Sequence, residues 1–168
     1  MTAELWHHDR IDTNGIELHY VTEGKGALML FLHGFPEFWY SWRHQIPEFA
    51  KDYKVVAVDL RGYNDSDKPQ AQSAYVMSEF VEDIRGVIDG LGYESCILVG
   101  HDWGGAIAWS FAYAYPELVS RLIVIYGTEE YVQDLRIRYI PNCSHWVQQE
   151  KPQLVNQMMR EFLDGIDC

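Results

Sequence analysis

The stretch Cys96-Ile97-Leu98-Val99-Gly100-His101-Asp102-Trp103-Gly104-Gly105-Ala106 decides how the chain is read. An apolar run of strand character ends at Gly100. The chain then turns through Gly-His-Asp-Trp-Gly-Gly into a small-residue helix, Gly104 to Tyr115. This is the small-x-nucleophile-x-small spacing of a nucleophile elbow, with Asp at its apex. A tight strand-to-helix turn crowds neighbouring backbones and forces an unusual φ/ψ on its apex residue, so glycines flank it. The apex side chain then stands over the end of the sheet, beside a helix N-terminus whose dipole favours a carboxylate. Asp102 reads equally as an ordinary helix N-cap, and the local pattern leaves both readings standing.

Working outward, Ile16 to Thr22 and Ala27 to Leu32 read as strands, and the turn residues Glu23-Gly24-Lys25-Gly26 predict a hairpin between them. Ala27 to Leu32 is continuously apolar, as expected of a strand covered on both faces. It stops at His33-Gly34-Phe35-Pro36-Glu37. Such a loop is either a plain strand-ending turn or a cradle of backbone N–H groups aimed at one point. Phe38 to Phe49 is aromatic-rich and predicted helical at its start, with its aromatics read as core. Lys54 to Val58 is a further buried strand, followed by the polar loop Asp59 to Pro69. Ser78 to Leu91 has helical apolar spacing, with Ser78 as the expected N-cap. Leu122 to Tyr126 and Leu135 to Ile140 read as strands. Pro152 to Leu163 reads as an amphipathic helix whose Met158 and Met159 fill core.

An initial hairpin followed by alternating strands and helices predicts an α/β fold with a mostly parallel sheet flanked by helices. Functional groups then gather at the carboxyl ends of the strands. His33, Asp59, Asp102 and His145 all follow strands in the sequence, so parallel strands would bring them to one edge.

Composition narrows the partners. The 168 residues suffice for one domain with a real core, and 48% hydrophobic content makes it globular. A net charge of −12 argues against nucleic acid and against anionic membrane as partners. The longest apolar run, Ala27 to Leu32, is too short to span a bilayer. The first ten residues carry neither the basic nor the apolar region of a secretory leader. Cys96, Cys143 and Cys168 lack metal spacing and read as reduced thiols, which predicts a cytoplasmic protein.

Four ordered motifs carry a family resemblance: His33 to Trp39, Asp59 to Tyr63, Gly100 to Gly105, and Ser144 to Gln149. Together they resemble the soluble epoxide hydrolases of the α/β-hydrolase superfamily, over roughly residues 6–126 and 135–163. The resemblance implies that Asp102 is the nucleophile and His145 the general base. It implies that the backbone N–H groups of Phe35 and Trp103 form the oxyanion hole, and that His33, Pro36 and Trp39 border the substrate pocket. It also implies a small apolar epoxide as substrate, a vicinal diol as product, and no cofactor or metal. A carboxylate nucleophile gives an ester that a His-activated water can cleave, which suits these residue types. Haloalkane dehalogenases share the Asp elbow, but Phe35 stands where they usually carry a halide-gripping Asn, so that alternative is disfavoured. Asn64 replaces the family's usual Gly, at little cost because Asn tolerates positive φ.

The chain departs from the pattern at Gly127 to Asp134, a short connector within one 1–168 domain, where the family has a cap, a strand and the acid loop. A parallel crossover usually takes a dozen or more residues. Fully extended, the connector reaches at most about 26–29 Å, little more than one strand length. The easier connection reverses like a hairpin, which turns Leu135 to Ile140 antiparallel and sends His145 to the edge opposite Asp102. The cap tyrosines that polarise the epoxide in the family are missing. Glu130 is the candidate acid, set against its reading as a solvated charge on a helix stub. A catalytically inactive short form is therefore a second functional reading. Loss of a strand and the cap would also leave a sheet edge open to self-association.

Overall fold

The computed structural model describes residues 6–125, 138 and 140–165. Its sheet begins with a hairpin of β1 (His7–Thr13) and β2 (Ile16–Glu23), antiparallel, with Thr13 opposite Ile16. Asn14 and Gly15 turn it with φ of 45° and 76°, the paired positive values that a two-residue hairpin turn requires. β2 does not form the expected hairpin with β3 (Leu28–Leu32). It pairs instead with β4 (Lys54–Val58), Tyr20 lying opposite Val58. The reason is the apolar character of β3, which seats it centrally between β4 and β5 (Cys96–His101), parallel to both. The sheet order is β1-β2-β4-β3-β5-β6, with β6 (Val119–Ile125) parallel to β5.

Side chains alternate across β3 and feed two cores. Leu28, Leu30 and Leu32 pack with Ile84, Val87, Ile88, Ile107 and Phe111 of the two long helices α2 (Met77–Gly90) and α3 (Trp103–Ala114). Met29 and Phe31 pack on the other face with Trp42, with Ile46 and Phe49 of α1 (Ile46–Phe49), and with Val155 and Met159. Burying a side chain such as Phe31 is worth roughly 2–3 kcal/mol. Trp39–Trp42 forms only a 3-10 turn before α1, so the aromatic stretch holds two short helical pieces. α2 begins one residue earlier than expected, and Val76, not Ser78, is its N-cap.

The C-terminal part contributes α4 (Val147–Glu150) and α5 (Pro152–Leu163). α5 has the predicted bounds, and it buries Val155 and Met159 against the second core. Polar ties fix it in place. Arg160 binds Glu48 at 3.0 Å and Asp52 at 2.5 Å. The Gln45 amide donates to the carbonyl of Gln148 and to Asn156.

This docking overturns one expectation. His145 does not lie at the edge opposite Asp102; its Nε2 is 3.4 Å from Asp102 Oδ2. Of the expected strand Leu135 to Ile140, the described residues Arg138 and Ile140 lie in no strand. The anchorage of α5 holds the segment of His145 against the sheet. The rest of that stretch, the connector Gly127 to Asp134 and Glu130 within it lie outside the described residues.

Candidate active site

Parallel β3, β4 and β5 end at Leu32, Val58 and His101, which places the loops beginning at His33, Asp59 and Asp102 on one edge. Asp102 takes φ 53° and ψ −119°, a conformation costly for a non-glycine residue and common where a side chain is held in a working position. Its neighbours permit this because they lack side chains. A Cβ on Gly34 would stand 2.5 Å from Asp102 Cβ, and one on Gly104 would stand 2.3 Å from the Leu32 carbonyl oxygen.

The Asp102 carboxylate is held at both oxygens. The Phe35 N–H donates to Oδ1 at 2.9 Å, while Oδ2 faces His145. Burial alone would raise the Asp102 carboxyl. Hydrogen bonds from the Phe35 and Trp103 N–H groups, with His145 and His101 nearby, outweigh it and hold the carboxyl below its ordinary range. A carboxylate with one oxygen in a backbone cradle and the other facing an imidazole can attack an electrophile and then have its ester cleaved by base-activated water.

The flanking loops are fixed by hydrogen bonds. His33 is fully buried; its Nε2 accepts from the Leu60 N–H at 3.0 Å, so Nδ1 carries the hydrogen donated to the Gly34 carbonyl at 2.8 Å. Burial pushes its pKa down. Asp59, also fully buried, accepts from the Trp39 N–H at 2.9 Å and meets His19 Nδ1 at 2.7 Å. Burial opposes its charge, but these partners and Asn64 more than compensate and lower its pKa. Arg61 and Asp83 form a buried two-pronged pair, with contacts of 2.5 and 2.6 Å, that ties the loop after β4 to α2. Asn64 takes φ 38°, a left-handed conformation that Asn tolerates.

Among the described residues, one group brings potential metal-ligating atoms together, those of His19, Asp59 and Asp65. The hydrogen bonds of Asp59 already account for that cluster. Cys96 is buried, which pushes its thiol pKa up to about 12 and makes it inert.

An open cleft of about 460 Å³ adjoins Asp102, lined by Phe35, Gly62, Tyr63, Tyr75, Phe80 and Trp103. Of the residues expected at the pocket, His33 and Trp39 are buried and Pro36 is exposed, and none of the three lines the cleft. Tyr63, Tyr75 and Phe80 were not singled out from the sequence. For Tyr63 the available signal was its place in the loop after β4, on the edge shared with Asp102. Glu37, which ends the His33 to Glu37 stretch, carries no sequence signal for its place in the site. The structure places it against His101.

Comparison with known proteins fits this geometry. The family model for the alpha/beta hydrolase fold matches residues 27–159. Epoxide hydrolase 4 of Mus musculus is 55% identical over 118 residues, covering 69% of this chain and 33% of that protein. Epoxide hydrolase 1 of Caenorhabditis elegans is 54% identical over 122 residues, covering 71% of this chain and 30% of that protein. The chain therefore spans about a third of the length of these curated relatives. A single-residue variant of a Bacillus megaterium epoxide hydrolase, solved with its product (R)-3-[1]naphthyloxy-propane-1,2-diol, superposes with a TM-score of 0.68. The match has 59% identity over 69% of this chain and 41% of that one. An epoxide hydrolase from Vigna radiata gives a TM-score of 0.71 at 42% identity, covering 74% of this chain and 39% of that one. With the fold model matched over most of its length, the chain belongs to the alpha/beta hydrolase fold family, and within that family it resembles the epoxide hydrolases.

Proposed function

We propose that the chain opens a small apolar epoxide with water to give a vicinal diol, through an ester on Asp102. The observation that carries this reading is the 3.4 Å approach of His145 Nε2 to an Asp102 carboxylate whose other oxygen is held by the Phe35 N–H. Asp102 Oδ2 attacks the less hindered epoxide carbon. The C–O bond breaks, the ring oxygen takes a proton from solvent, and Oδ2 becomes the ester oxygen. Water then attacks Cγ while His145 Nε2 accepts its proton. The oxyanion forms on Oδ1, where the Phe35 and Trp103 N–H groups stabilise it. Collapse releases the diol, which takes the proton back from His145, and the regenerated Asp102 carboxyl returns a proton to solvent. The reaction sums to epoxide plus water giving diol.

The aromatic cleft suits a flat apolar substituent on the epoxide. We read the chain as one domain, in which residues 127–134 replace the cap. Its free thiols at Cys96 and Cys143 suit a reducing, cytoplasmic setting. No helix among the described residues is long and apolar enough to cross a membrane. The test is diol production from phenyl glycidyl ether by the purified chain. Diol that is lost in Asp102→Ala supports the reading. Absence of diol from a folded sample rejects it in favour of the inactive short form.

A further inference from the structure

Behind the nucleophile lies a chain of part-buried polar contacts that the proposed reaction does not use. His101 is fully buried beside Asp102. Its Nε2 is 2.9 Å from the backbone carbonyl of His145, and its ring lies 4.7 Å from the His145 ring, centroid to centroid. Its Nδ1 is 3.1 Å from Glu37 Oε2. The other Glu37 oxygen accepts from the Gln149 amide, whose own oxygen accepts from Arg43 Nη1 at 2.8 Å. Glu37 is the acceptor on which the Gln149 and His101 contacts converge. A carbonyl cannot donate, so His101 Nε2 carries a hydrogen. Nδ1 faces a carboxyl oxygen, so His101 and Glu37 hold a further proton between them.

We propose that Glu37 and His101 are a positioning pair that holds the backbone of His145 against the nucleophile elbow. Glu37 orients the His101 ring, and the ring presents its Nε2–H to the His145 carbonyl. The His145 side chain is then aimed at Asp102 from a fixed backbone. This matters because His145 sits on a docked loop, whereas Asp102 stands in the tight turn between β5 and α3. A base displaced by about 1 Å loses much of its effect. Neither Glu37 nor His101 touches the reacting atoms in this scheme. The inference rests on the reading of His145 as base, and it divides the two halves of the reaction. Ester formation needs Asp102 and its backbone cradle. Ester hydrolysis needs His145 in place.

The test follows both halves by quenched-flow intact mass with phenyl glycidyl ether, on the full chain and on Glu37→Ala. Ester formation is expected to stay within twofold while ester decay slows at least tenfold. Equal loss of both rates, or no change in decay, overturns the pairing. If Glu37→Ala fails to fold by circular dichroism, His101→Gln and His101→Ala decide. The Gln amide can still donate to the His145 carbonyl, so decay should stay within threefold in His101→Gln and slow tenfold in His101→Ala. Equal slowing in both overturns the proposal. A second readout needs no turnover. In chain labelled with 15N-histidine, His101 should show a slowly exchanging ring N–H that Glu37→Ala abolishes. If the parent forms no ester but this signal behaves as stated, the hydrolase reading fails and the positioning contact stands. If the signal is missing from the parent, or unchanged by Glu37→Ala, the contact itself is refuted.

Discussion

Asp102 and His145 meet across 3.4 Å, yet they arrive by different routes. Asp102 directly follows a strand held between two parallel neighbours, and its loop contacts are made with the adjoining strand ends. His145 stands on a segment that joins the sheet through Val155 and Met159 and through a set of polar ties from Gln45, Arg43 and Arg160. The nucleophile is therefore placed by the fold itself and the base by docking. Perturbations of the sheet should act globally, while perturbations of the docked segment should act on hydrolysis of the ester.

The largest effect tests the nucleophile. Asp102→Ala should lower ester and diol formation at least a thousandfold with the far-ultraviolet spectrum retained, since nothing else in the cleft replaces a carboxylate held by backbone N–H groups. Residual turnover above one per cent would remove Asp102 from the mechanism. Next, Asp83→Ala removes the two-pronged partner of Arg61, whose side chain is only 2% exposed, and leaves it the more exposed Glu79 at 3.4 Å. Losing the buried half of this pairing should cost about 3 kcal/mol in urea unfolding, with much of it recovered by adding Arg61→Met. A cost below 1 kcal/mol would show that the loop after β4 does not depend on that pair.

A smaller and more local effect separates the two regions. Met159→Ala, at a site only 4% exposed, should cost about 2–3 kcal/mol. Hydrogen exchange should accelerate across residues 145–163 well before β3 and β5 respond, and ester decay should slow more than ester formation. Equal loss of protection in the sheet would erase the distinction between the regions.

The smallest effect is on pH. His33 has its pKa lowered by burial, so the unfolded chain binds its proton first; that contribution is present above about pH 6.5 and lost as pH falls below it. Asp59 and Asp102 also have lowered values, so theirs is present above about pH 4 and lost as pH falls further. A melting temperature that declines below about pH 6.5 and again below about pH 4 is expected. A profile flat down to pH 4 would contradict the buried neutral His33.

The elbow was legible because its constraint is local. Gly34 and Gly104 are demanded by contacts within a few ångström of Asp102, and the residue types announce them. The helix Pro152–Leu163 was legible because its apolar period survives intact. The hairpin was less legible because Gly24 and Gly26 offer turn chemistry as strong as that of Asn14-Gly15, and because pairing of β2 with β4 depends on which strand takes the centre of the sheet. The place of His145 is illegible for a related reason. Connector length favours a reversal, while the burial of Val155 and Met159 that docks the segment is a long-range contact no local pattern announces. The aromatic cleft escaped notice because Phe35, Tyr63, Tyr75, Phe80 and Trp103 come from separate loops and helices.

The most direct test of a covalent Asp102 intermediate is a single turnover of phenyl glycidyl ether in H₂¹⁸O with enzyme in excess. If Asp102 attacks, the oxygen added to the diol comes from its carboxylate. The first-turnover diol then carries ordinary oxygen, and the label appears in the peptide containing Asp102. Diol carrying ¹⁸O from that first turnover, with no label in the peptide, would mean that water attacks the epoxide directly and would contradict the account.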